Sequence, residues 1–125
     1  MIAKQFDRKK FLTEFVKSYS SYLAKSGRIQ GDSMKIISTA TGSAKMTADL
    51  VQEILFIPDS EDVLVHSDME VVRCSSSGKE IKWSADCHGE LITKVKIASR
   101  IVSVEEFDKK KYNLDLETGK LLSNS

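Results

Sequence analysis

The sequence predicts an α+β fold: a long N-terminal helix and a second helix packed on one face of a bent antiparallel sheet of four or five strands. Three observations predict it. Apolar residues recur at helical spacing before Pro58 and alternate in twos after it, and these two periods bury different faces. Short breaks rich in serine and glycine interrupt the second half at hairpin spacing. The chain has 125 residues, 41% of them hydrophobic and 30% charged, which suits one globular domain with its own core. The whole chain is therefore read as a single domain, with residues 1–5 and 121–125 expected to fray.

The first helix is expected at 7–26. Phe11, Leu12, Phe15, Val16, Tyr19, Tyr22 and Leu23 fall three or four apart and form one apolar stripe. Asp7 suits the N-cap, and Phe6 before it is placed to meet Phe11 as a hydrophobic staple. Lys25 complements the negative end of the helix, and Gly27 can adopt the left-handed conformation that stops it.

Residues 28–57 admit two readings. Met46, Leu50, Val51, Ile54 and Leu55 form a second helical stripe, with Ser43 as cap and Pro58 as terminator. Ahead of it, residues 33–39 read as a short strand by their β-branched content, or as the start of one long helix from Asp32. Gly42 inside such a helix costs about 1 kcal/mol relative to alanine, which favours the strand.

Strands are expected beyond Asp62. Val63, Val65, Met69 and Val71 take odd positions in the first run, as do Ile81, Trp83, Ala85 and Cys87 in the second. Ser76-Ser77-Gly78 reads as a three-residue hairpin loop that sets Ser75 opposite Lys79 and Val71 opposite Trp83. His88-Gly89-Glu90 reads as a second turn or a glycine bulge. The turn would place Trp83 opposite Val95, with Ile101, Val102 and Val104 continuing the third strand. Residues 112–116 alternate as a further strand, and Thr118-Gly119-Lys120 turns the chain. In layout alone this is similar to the cystatin-like and nuclear-transport-factor-like architectures, in which a helix lies in the hollow of a bent sheet.

Composition excludes little. The net charge is +1, so no whole-molecule field points to nucleic acid or to a membrane surface. The balance conceals an asymmetry: residues 1–30 carry seven basic and two acidic side chains, residues 31–70 two basic and eight acidic. The two cysteines, Cys74 and Cys87, are too few for a disulfide framework and have opposite parity, so a reducing, cytoplasmic setting is expected. No apolar stretch approaches the roughly 20 residues of a membrane helix.

The register above suggests one chemical cluster. It sets His66 opposite His88 and Asp68 opposite Asp86, and two imidazoles with two carboxylates are potential divalent-metal ligands. No ligand-spacing motif supports it, and no cofactor is expected. Gly42-Ser43-Ala44-Lys45 lacks the full phosphate-loop spacing. Lys82, Lys94, Lys96 and Arg100 share parity and form a basic stripe. Nucleic acid is nonetheless disfavoured, because Trp83 falls on the apolar side and leaves no aromatic for base stacking. A pocket under the helix would be lined by Phe15, Tyr19 and Trp83.

No catalytic set stands out. The expected function is a small non-catalytic binding or assembly module acting through its open sheet face as a homodimer, with another protein as the other candidate partner. Ile92, Lys94, Lys96, Arg100 and Val102 are the candidate contacts. A small-molecule binder or enzyme with a pocket between helix and sheet is the alternative, and nucleic-acid binding through the basic strand the second alternative.

Overall fold

A computed structural model of the protein describes residues 6–25 and 51–124. Among these residues one helix, α1 (Arg8–Lys25), is followed by eight strands. They are β1 (Glu53–Phe56), β2 (Asp62–His66), β3 (Glu70–Ser75), β4 (Ile81–Asp86), β5 (Ile92–Ala98), β6 (Ile101–Glu106), β7 (Lys111–Asp115) and β8 (Leu121–Asn124). The strands make two antiparallel four-stranded sheets, each in sequential order, β1 to β4 and β5 to β8. The α+β class holds, with the strands divided between two sheets rather than gathered in one.

Helix α1 forms where the sequence places it. The Asp7 carboxylate accepts from the Lys10 backbone N–H at 3.1 Å, satisfying a donor that the first turn leaves without a partner. The Phe6 and Phe11 rings meet at 5.2 Å, closing the staple. Spacing of four residues then stacks Phe11 on Phe15 at 5.8 Å and Phe15 on Tyr19 at 5.4 Å. Gly27, Ser43, the loop at 42–45 and the alternatives for 33–39 lie outside the described residues. The end of the expected second helix does not: Ile54 and Leu55 belong to strand β1. A short apolar run fits either period, and pairing with β2 decides it.

The first sheet is a middle layer. Val63, Val65, Val72 and Cys74 pack against Phe11, Phe15, Val16, Tyr19 and Leu23 of α1. Leu64, Val71 and Trp83 point the other way, into a core shared with Ile92, Val95, Val102, Val104, Tyr112, Leu114 and Leu116 of the second sheet and its turn. Two-sided burial explains why β2 and β3 contain consecutive apolar residues, Val63-Leu64-Val65 and Val71-Val72, instead of a clean alternation.

Three connections correct the expected register. Residues 63–71 are two strands joined at Asp68-Met69, with Val65 opposite Val72 and His66 opposite Val71. The Ser67 hydroxyl accepts from Met69 and Glu70 N–H and holds that turn without glycine. Likewise, β5 and β6 are separate strands that turn at Ser99-Arg100, with Ser99 at φ 58°. Reversal there sends Val102 and Val104 to the same side as Ile97 and Val95. Finally, His88-Gly89-Glu90 is no hairpin but the crossover between the sheets, so Trp83 pairs with Arg73 rather than with Val71 or Val95. The β3–β4 register also shifts between Arg73 and Cys74. That bulge turns Ile81 towards the helix layer while Trp83 faces the second sheet.

Polar groups tie the layers together. Trp83 Nε1 and Arg73 Nη1 both donate to the Leu116 carbonyl, at 2.9 and 3.0 Å. Arg73 Nε also meets Asp62 at 2.9 Å, so the buried guanidinium has its counter-charge. Gly119 lies against the Trp83 ring: a Cβ there would come within 2.4 Å of it, and φ is +75°. The Tyr19 hydroxyl donates to the buried Glu70 carboxylate. Residues 121–124, expected to fray, pair with β7 as β8.

Candidate binding surface at the β5 edge

Strand β5 ends its sheet, and no strand among the described residues pairs with its outer edge. A register shift between Ile92 and Lys94 leaves Thr93 bulged, so Ile92 and Val95 both reach the core. From Lys94 onward the strand alternates. Lys94 and Lys96 are exposed on the outer face, Val95 is buried and Ile97 is half-buried against the core.

The edge separates two depressions. One is an open groove of about 480 Å³ between β5 and β1, in which Leu55, Phe56, Pro58, Val95 and Ile97 supply apolar surface and Lys94 and Lys96 supply charge. The other, about 260 Å³, lies on the outer face and is lined by the same two lysines with Ser103, Glu105, Lys111 and Asn113. Lys94 stands opposite Glu105, whose carboxylate is 3.9 Å from Lys111 Nζ. Lys96 stands opposite Ser103, which donates to Asn113 at 3.1 Å. Among the described residues neither Lys94 nor Lys96 has an ion-pair partner within 4 Å. The one carboxylate lining the groove, Glu53, is held by His66 Nε2 at 3.2 Å.

A third depression opens beside the crossover, where the His88 ring stacks on Tyr112 at 3.8 Å. Two carboxylates line it, Asp108 and Glu106, and Glu106 is only 2% exposed. It accepts from the backbone N–H of His88, Gly89 and Glu90 at 2.6, 3.2 and 3.1 Å, and from the Tyr112 hydroxyl. Burial alone pushes this carboxyl up, but the hydrogen bonds outweigh it and hold it below the usual range. Burial and the Glu106 carboxylate push the Tyr112 phenol up. The Glu106 lone pairs are thus committed to holding the crossover, while Asp108 accepts from the Lys110 backbone N–H in its own turn.

The expected contacts are therefore divided. Lys94 and Lys96 stand together at the edge. Arg100 is exposed at the far turn, and its carbonyl accepts from Leu116 N–H at 3.0 Å. Ile92 and Val102 are core residues, 2% and 0% exposed, and offer a partner nothing. The basic stripe is interrupted, because Lys82 belongs to the first sheet and pairs with Glu80 at 2.8 Å.

The expected pocket does not assemble. Phe15 and Tyr19 lie in the helix core and Trp83 in the inter-sheet core, on opposite faces of the first sheet. The metal cluster fails for a related reason. The turn at Asp68-Met69 separates His66 from His88, and Asp86 pairs with Glu70 rather than Asp68. No metal-holding group of three or more His, Cys, Asp or Glu occurs among the described residues.

Cys74 is fully buried, and burial followed by the nearby Asp62 charge pushes its thiol up to about 12. Both cysteines are free. Sequence reasoning missed the β1 wall of the groove. The signal was the unbroken run Ile54-Leu55-Phe56-Ile57 before Pro58, which suits a strand as well as a helix.

No described helix is long and apolar enough to cross a membrane. No protein-family model matches the sequence, and no curated protein matches it. Among solved structures, the chain is similar to one in an S. cerevisiae assembly of Dbp5 bound to Nup159, Gle1, IP6 and ADP, with 16% identity and a TM-score of 0.44. The match covers 59% of this chain and 20% of that one, so it spans about a fifth of the other's length. A likeness at that level gives neither fold nor function.

Proposed function

We propose that this protein is a non-catalytic binding module that holds a segment of another protein in the groove between β1 and β5. The observation that carries this reading is the coincidence, along a strand edge with no partner strand among the described residues, of an apolar groove and two lysines that have no ion-pair partner among those residues. Apolar area gives an extended segment something to bury, and the strand edge gives it backbone partners.

A second copy is the less favourable occupant. Antiparallel pairing of two β5 strands about Val95 sets Lys94 of one against Lys96 of the other, and lysines on an edge are a recognised defence against such pairing. The two free cysteines, on opposite faces of the first sheet, support a reducing compartment such as the cytoplasm.

The test is selection of random displayed peptides on the folded protein, followed by affinity measurement on two variants. Lys96→Glu and Phe56→Ala each alter the groove at an exposed position. Recovered peptides should weaken about tenfold or more on one or both. Absence of enrichment, or peptides indifferent to both substitutions, would refute the groove as the binding site.

A further inference from the structure

We infer that the segment held by the groove is an acidic strand in which aspartate or glutamate alternates with apolar residues, and that it is added to the edge of β5. This rests on the groove reading above and specifies the chemistry of its occupant.

The argument follows from the alternation of β5. A strand laid beside it, about 4.8 Å away, must place successive side chains on opposite faces, in step with those of β5. On the outer face its neighbours are Lys94 and Lys96, two residues apart and without ion-pair partners among the described residues. On the inner face its neighbours are Val95, Ile97 and Leu55, while Phe56, next along β1, lines the groove with its ring against Phe6 of the helix layer. Cross-strand pairing therefore asks for carboxylates two residues apart, with apolar side chains between them. Glu53 does not spoil this complementarity, because it lies on the β1 wall with His66 as its partner. A nucleic-acid strand would find the same positive charge, but its bases would meet aliphatic Leu55, Val95 and Ile97 along most of the groove, where stacking needs aromatic faces.

The experiment uses the full chain and a fluorescent decapeptide of alternating valine and glutamate, followed by anisotropy. Three comparison peptides are used: one with the valines and glutamates in separate blocks, and two with backbone N-methyl groups on alternate residues, one for each register. Binding should weaken with added salt and should fall roughly tenfold or more with Lys94→Glu/Lys96→Glu, since two attractive cross-strand pairs become repulsive. One N-methyl register should abolish binding and the other should leave it intact, because only alternate N–H groups of an added strand face β5.

Equal binding of the block peptide, or of both N-methyl registers, overturns strand addition. An oligothymidine that competes as well as the alternating peptide assigns the groove to nucleic acid and overturns the inference. If none of the four peptides binds while display-selected peptides still map to Lys96 and Phe56, the acidic strand is wrong and the groove reading stands. If those fail too, both are wrong.

Discussion

Removal of the Glu106 side chain tests what joins the two sheets. The carboxylate accepts three backbone N–H groups from the crossover and the Tyr112 hydroxyl. Hydrogen bonds to a charged acceptor contribute about 1.5–3 kcal/mol each, and a buried partner left without an acceptor costs about 1–3 kcal/mol. The N–H groups belong to exposed residues that water can reach, whereas Tyr112 is buried, so the low end applies to the former. Even at the low end of about 1.5 kcal/mol each, the four bonds together come to about 6 kcal/mol, so Glu106→Ala should cost up to about that much, a large part of the roughly 5–15 kcal/mol that stabilises a domain of this kind.

The cost should depend on pH. The folded carboxyl titrates below its ordinary value of 4.5, so its contribution is complete above that value and is lost as pH falls through the folded pKa. Urea unfolding of both proteins at about pH 7 and about pH 3 measures this, and the difference between them should shrink in acid. A destabilisation below about 1 kcal/mol, or one equal at both pH values, would refute the argument.

Three further outcomes follow from the packing. Gly119→Ala drives a methyl group into the Trp83 ring at a positive φ, and should cost about 2–4 kcal/mol in chemical denaturation while altering indole fluorescence; an unchanged midpoint would refute the close approach. Asp7→Ala should cost about 0.5–2 kcal/mol by uncapping α1, with no change in the near-ultraviolet signal of the inter-sheet core. Cys74, buried and with its thiol pushed up to about 12, should resist alkylation in native protein at about pH 8 and react only on unfolding, whereas partly exposed Cys87 reacts slowly in the native state.

The sequence disclosed what is local. Asp7, the Phe6 staple and the aromatic stripe mark α1 from within its own segment, although the stripe is buried against β2 and β3. The Thr118-Gly119-Lys120 turn and strand β7 were legible for the same reason. Register across β2 to β6 was not, because two of its reversals lack glycine, asparagine or proline. Ser67 closes one through its hydroxyl, and Ser99 closes the other in a left-handed conformation. Once those turns are missed, parity counting carries the wrong residues to a shared face. Ile92 and Val102 then fall among surface contacts, and His66 falls opposite His88. Two-sided burial of β2 and β3 has the same origin: a helix covers one face and a sheet the other, and one strand's alternation cannot show both. Lys94 and Lys96 survived as site candidates because their alternation with Val95 is uninterrupted within β5. The β1 wall came from Leu55, which the helical stripe of Met46, Leu50, Val51 and Ile54 also took in, and from Phe56, which that stripe left out.

Amide hydrogen exchange along β5, measured with and without saturating alternating valine–glutamate peptide, addresses the proposed binding surface most directly. The account predicts slowing of alternate amides between Thr93 and Ala98, the ones whose N–H groups face away from β6, with β8 unchanged. Uniform exchange along β5, or protection at Leu121–Asn124 instead, would contradict it.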